Sequence, residues 1–134
     1  MQKPEPAKLT ARIVAGVPMY NTTLYHRIRF LVVDVAVWLE LSRQNGSAEK
    51  LLICRDIELD RARREARVDR VACPADFAPD GGLSGDREVA TAQAAAECLR
   101  RAGIQQVIAD RSLPLLFADL IRQAGIEVLC DPQL

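Results

Sequence analysis

Histidine is almost absent from this chain: one residue, His26, in 134. A histidine-dependent metal site wants a second histidine or a cysteine at ligand spacing, and none stands near position 26. No serine lies in a GxSxG setting and no cysteine in the setting of an activated thiolate, so a nucleophile–His–Asp arrangement has no candidate members. Charge of one sign in excess is missing too. Eighteen Lys and Arg balance eighteen Asp and Glu, which argues against a general electrostatic grip on nucleic acid or on an anionic membrane. Long apolar runs are also lacking. The longest, Leu31 to Leu39, is broken by Asp34 and is too short to span a bilayer. The opening MQKPEPAKLT has no apolar core of signal-peptide length, and residues 1–9 read as a flexible polar tail. There is no CxxC pair. Cysteines 54, 73, 98 and 130 are widely spaced in apolar or helical surroundings, which predicts free buried thiols in a reducing cytoplasm rather than a disulfide framework. Glycines 81, 82 and 85 lack the lysine and the strand-to-helix spacing of a phosphate loop.

What remains is a soluble-domain composition, 49% hydrophobic and 27% charged, in a length that fits one domain. ARIVA, 11–15, reads as a strand ended by Gly16 and Pro18. From Asp34 to Leu41 apolar and polar positions alternate. Val35, Val37, Leu39 and Leu41 would face a core, and Asp34, Ala36, Trp38 and Glu40 would face away. Asn45-Gly46 is a strong hairpin turn, and LLICR, 51–55, is the returning strand. Asp56 is the expected cap of a helix through the arginines at 61, 63, 64 and 67. VDRVAC is a short strand, and residues 74–86 read as a loop. EVATAQAAAECLRRAG is an amphipathic helix closed by Gly103. QQVIAD is a strand, Ser112 the expected cap of the next helix, and IEVLCD the last strand. "LRRAGIQQVIAD" and "LIRQAGIEVLCD" repeat one helix–glycine–strand design. Strand, antiparallel hairpin and three αβ units predict an α/β fold, a mixed sheet with helices packed on it.

The arginines of 61–70 are interleaved with Glu58, Asp60, Glu65 and Asp69, the pattern of a solvated helix face with i to i+4 pairs. Asp110 and Asp131 end neighbouring strands, where α/β folds often place sites. Capping of the following turns is the simpler reading. The oddest stretch is NTTLYHRIRF, 21–30. It holds the only histidine, two arginines and two aromatics, and its periodicity favours a short helix or turn ending near Phe30.

The order of these pieces resembles the N-terminal domain of the creatinase, prolidase and aminopeptidase P group of metallopeptidases. NTTLYHRIRF lies where such domains carry an asparagine or aromatic residue and then Tyr-Leu-Thr-Gly-Phe. DVAVWLEL and LLICRDIELDRAR follow, the second resembling the family's strand and following helix, with Glu58 and Arg61 as the charged pair. SLPLLFADLIRQAGIEVLCDPQL is similar to the close of that domain. Aligned on Phe30, His26 stands at the family tyrosine, Tyr25 at the aromatic before it, and Arg27 and Arg29 replace Leu and Gly.

The resemblance implies a creatinase-type N-terminal domain over 10–134, with a ribonuclease H-like motif and without the family's pita-bread catalytic domain. In the family that missing domain binds two divalent metal ions (Mn, Co or Zn) on two Asp, one His and two Glu. The implied function is non-catalytic: support of a homodimer and lining of the partner's active-site mouth, with Tyr25, His26, Arg27 and Arg29 as the candidates. The implied partners are the catalytic domain of the same polypeptide and a second copy, with neither nucleic acid nor membrane. Proline-directed peptide cleavage and creatine-like hydrolysis share this architecture. The alternative is a stand-alone binding or interaction module of the same fold.

Overall fold

A computed structural model describes residues 8–134, so most of the tail expected over residues 1–9 lies outside the described residues. Six strands form a single sheet in the order β4-β3-β2-β1-β5-β6. They are β1 (Thr10–Gly16), β2 (Ala36–Ser42), β3 (Ala48–Ile53), β4 (Arg70–Ala72), β5 (Gln106–Ala109) and β6 (Glu127–Cys130). β2 is antiparallel to both of its neighbours, and every other adjacent pair is parallel. This is the mixed sheet expected from a hairpin joined to αβ units. The hairpin closes at the expected place. Gly46 N–H donates to Arg43 O at 3.0 Å, and the Asn45 carboxamide oxygen accepts from Ser47 N–H at 3.0 Å.

Helices cover both faces. α3 (Arg87–Arg101) and α4 (Leu115–Gln123) pack on one side. Their Ala92, Ala95, Leu99, Phe117 and Ile121 meet Ile13, Val37, Leu39, Leu51 and Val107 of the sheet. The small side chains of α3 let the helix lie close to the strands. α1 (Thr22–Ile28) and α2 (Leu59–Glu65) cover the other side, where Leu24, Ile28, Phe30, Trp38, Leu52 and Ala62 form a second core. This corrects the one-sided reading of β2, because Ala36 and Trp38 are buried as fully as Val37 and Leu39. A strand in the middle of a sheet with helices on both faces has no solvent side.

The repeated helix–glycine–strand units end alike. Gly103 and Gly125 adopt positive φ, 72° and 85°. Gly103 N–H donates to Arg100 O and Ile104 N–H to Leu99 O; Gly125 and Ile126 make the same bonds to Arg122 and Ile121. These are Schellman closures, and the buried Ile104 and Ile126 pin each turn to the first core.

Four local expectations fail for physical reasons. Asp56 opens a 3-10 turn, Asp56–Glu58, and makes no cap to α2. Its carboxylate accepts from the adjacent Ile57 N–H instead. Ser112 does not cap α4, whose N-cap position is Pro114, because the Ser112 hydroxyl is committed to Asp110. The 74–86 loop contains a 3-10 turn, Pro74–Phe77, which buries Phe77. Cysteines 54, 73 and 98 are free and buried as expected, but Cys130 on the edge strand β6 is exposed.

Glu97 is the buried acid of α3, 9% exposed. Arg100 and then Arg101, one turn further on, donate to its carboxylate and hold its pKa at about 2 instead of 4.5. Arg101 also donates to Asp76 O and Ala78 O, tying α3 to the 3-10 turn. A lowered folded-state pKa contributes stability that is full above the unfolded value and is lost as pH falls towards the folded one. The urea midpoint is therefore expected to fall as pH drops from 4.5 towards 2, and Glu97→Gln to flatten that fall. An equal fall in the variant would place the acid sensitivity elsewhere.

Candidate functional site

The unusual stretch 21–30 folds as α1 and its two ends. Asn21 sits in extended backbone, and its carboxamide oxygen accepts from Leu24 N–H at 3.1 Å, an N-cap. Leu24 and Ile28 bury the inner face one turn apart. Arg29 ends the helix in the left-handed region, φ 51° and ψ 38°, and its N–H donates to Tyr25 O at 2.7 Å. It is the one non-glycine residue with positive φ among those described. The position aligned with the family glycine is thus a left-handed helix end, which glycine adopts at least cost.

The four candidate residues divide between two neighbourhoods. Tyr25 and Arg29 meet one turn apart, the guanidinium carbon 5.7 Å from the ring centroid. His26 is exposed and adjoins Tyr25, their rings 6.4 Å apart. Arg27 turns the other way and lies on Trp38, 4.9 Å from its ring, with Arg12 at 5.9 Å from the same ring. Neither Arg27 nor Arg29 pairs with a carboxylate among the described residues. Cation–π stacking leaves the guanidinium edge available as a hydrogen-bond fork, so the outer surface of α1 can receive an anion beside an aromatic ring.

Beneath α1 lies a polar cluster whose members the sequence reading named, in Asp110 and Ser112, without joining them to Asn21. Asp110, 4% exposed, follows β5. Its Oδ2 accepts from the Ser112 hydroxyl at 2.6 Å, and that hydroxyl accepts from Asn21 Nδ2 at 2.9 Å. The other carboxylate oxygen of Asp110 is buried without a partner. Its position at a strand end was visible in the sequence; its link across 91 positions to the α1 cap was not. Asp131, by contrast, caps its own turn, accepting from Gln133 N–H.

A cleft of about 320 Å³ opens at the same edge of the sheet, lined by Val35, Arg55, Cys73, Pro74, Arg87 and Thr91 among others. Asp34 beside it receives Arg87 at 3.3 Å and Arg55 at 3.6 Å. Burial, and secondarily the Glu58 carboxylate, pushes the Cys54 thiol up to about 12, so it carries no thiolate at neutral pH. Among the described residues no group of three or more His, Cys, Asp or Glu could hold a metal ion, and no helix is long and apolar enough to cross a membrane. The α2 arginines form the expected surface ladder, Glu58–Arg61–Glu65 and Asp60–Arg63.

No protein-family model matches the sequence. No curated protein matches it either. Solved structures do match. The prolidase from Pyrococcus horikoshii superposes with a TM-score of 0.60 at 16% identity, over 93% of this chain and 29% of that one. The aminopeptidase P from Streptococcus thermophilus gives 0.61 at 12% identity, over 93% of this chain and 80% of that one. The Xaa-Pro dipeptidase from Bacillus anthracis gives 0.63 at 12% identity, over 92% and 29%. The chain therefore spans less than a third of the prolidase and the dipeptidase. The superpositions show a shared fold, and at these identities the fold alone; it is the one that the order of sequence motifs suggested.

Proposed function

We propose that this chain is the non-catalytic N-terminal domain of a Xaa-Pro-type metallopeptidase. It would support a cytoplasmic homodimer and line the mouth of the partner subunit's active site with the outer surface of α1. The observation that carries the reading is the shared fold with a prolidase, over 93% of this chain but 29% of that protein. In this reading the chemistry, with its two divalent metal ions, belongs to polypeptide beyond the residues described. No step here runs through a metal, because these residues offer it no donor set. Their contribution is to bind and orient. Tyr25 packs on substrate side chains, and Arg29 donates two parallel hydrogen bonds to a substrate carboxylate. His26 adjoins Tyr25 on that surface, and Arg27, laid on Trp38, stands in the second neighbourhood.

The mass of the native gene product, by immunoblot, tests the domain assignment. A band well above the 14.8 kDa of this chain, with metal-dependent Xaa-Pro cleavage in the purified product, is expected. A band at 14.8 kDa favours the stand-alone binding module instead. Arg29 separates function from folding. Arg29→Gly suits the left-handed backbone better and should raise domain stability by up to about 1 kcal/mol. In the full-length enzyme the same change should lower kcat/KM for short peptides by about tenfold, the loss of one charge-assisted contact. Unchanged kcat/KM would remove Arg29 from the site.

A further inference from the structure

Seven large apolar side chains are exposed among the described residues, and six of them stand at one end of the molecule. The cause is topological. β1, β3 and β5 end at one edge of the sheet and β2 begins there, and these four strands are adjacent in the order β3-β2-β1-β5. Met19 and Tyr20 follow β1, Leu31 and Val33 precede β2, Ile57 follows β3, and Leu115 follows β5. Met19 N–H donates to Val32 O at 3.4 Å, which joins the first two loops into one surface. Tyr20 is 81% and Leu115 79% exposed. The loops at the opposite edge, 43–47, 66–69, 102–105 and 124–126, expose no large apolar side chain among the described residues. So one-sided a display of apolar surface marks an interface.

The path of the chain selects the occupant. β6 runs parallel to β5 and so ends at this same edge. Residues 131–134 then turn, Leu134 N–H donating to Asp131 O at 3.1 Å. The Leu134 side chain packs against the second core, the cluster that holds Phe30 and Val32. Any polypeptide that continues from Leu134 emerges at the apolar edge. In the prolidase and the dipeptidase this fold fills 29% of the chain, leaving more than two thirds as further polypeptide.

We propose that this edge seats the domain that follows Leu134 in the longer polypeptide, with an apolar face of that domain laid on Tyr20, Leu31, Val33, Ile57 and Leu115. The proposal rests on the accessory-domain reading and names the surface it uses. Hydrogen exchange on the 134-residue chain and on the full gene product tests it. Amides of 17–20, 31–34 and 55–58 should exchange at least about tenfold more slowly in the full product. Val33→Asp with Ile57→Asp should abolish that protection while leaving the urea midpoint of the 134-residue chain unchanged.

Equal exchange in the two chains, with Xaa-Pro cleavage intact, would overturn the docking surface and leave the accessory-domain reading standing. Protection that rises with concentration in the short chain would assign the edge to a second copy and overturn the proposal. A native product of 14.8 kDa would overturn both.

Discussion

Trp38→Ala is expected to cost about 3–5 kcal/mol of folding stability, the range for removing a large aromatic from a packed core. Trp38 is 1% exposed and stands at the centre of the second core, between the sheet and α1. Its ring is also the floor on which Arg27 and Arg12 rest, so truncation removes packing from two long side chains. For a domain with a total stability of about 5–15 kcal/mol, such a loss is a large share.

Trp38→Phe should behave differently. The indole N–H is buried without a partner, and deleting an unsatisfied donor returns about 1–3 kcal/mol against the lost area. The phenylalanine variant should therefore lose less than half of what the alanine variant loses. Urea titration followed by circular dichroism measures both, since this is the chain's one tryptophan and its fluorescence is lost in either variant. A loss under about 1 kcal/mol for alanine would mean that α1 is not consolidated on the sheet, because full burial of an aromatic is worth more than that. The proposed surface of Tyr25 and Arg29 would then lack a rigid base.

Trp38 also shows where the sequence was legible and where it was not. The first core could be read because its elements are long and periodic. α3 has fifteen residues and is rich in alanine, with nine of them buried, and Gly103 and Gly125 mark where two helices stop. Asn45-Gly46 placed the hairpin by turn chemistry alone. The second core could not be read, because α1 and α2 have seven residues each and contribute few buried side chains. Alternating with Val37 and Leu39, Trp38 fell on the face that carries Asp34 and Glu40 and so looked like the solvent face of a half-buried strand.

Phe30 is covered in part by a charged residue, the Arg61 guanidinium 4.4 Å from its ring, and no hydrophobic period reports such a cover. The site divides the same way. The unusual composition of 21–30 was plain in the sequence. The pairing of Arg29 with Tyr25 depends on a left-handed residue at position 29, and the Asn21–Ser112–Asp110 cluster depends on contacts between distant segments. Local pattern carries neither.

That cluster makes Gly16→Ala the second large effect, expected at about 2–4 kcal/mol from backbone strain, a weakened cap and a disturbed buried carboxylate. Gly16 ends β1 at φ 157°, and a Cβ there would lie 2.8 Å from Asn21 Nδ2. Asn21 cannot yield freely. Its oxygen caps α1 through Leu24 N–H, and its Nδ2 holds the Ser112 hydroxyl that serves Asp110. Moving it frays the helix that carries the candidate site and leaves a buried carboxylate short of its network.

Repeating the substitution in an Asn21→Ala background separates the causes. If the clash dominates, Gly16→Ala should cost at least about 1 kcal/mol less there, since the group it strikes is gone and the two changes share one interaction. An identical cost in both backgrounds would assign the effect to the backbone at Gly16 alone. A cost below about 0.5 kcal/mol in the native background, the range of an ordinary surface change, would mean that Asn21 moves aside without loss and that the link from α1 to Asp110 does not stabilise the fold.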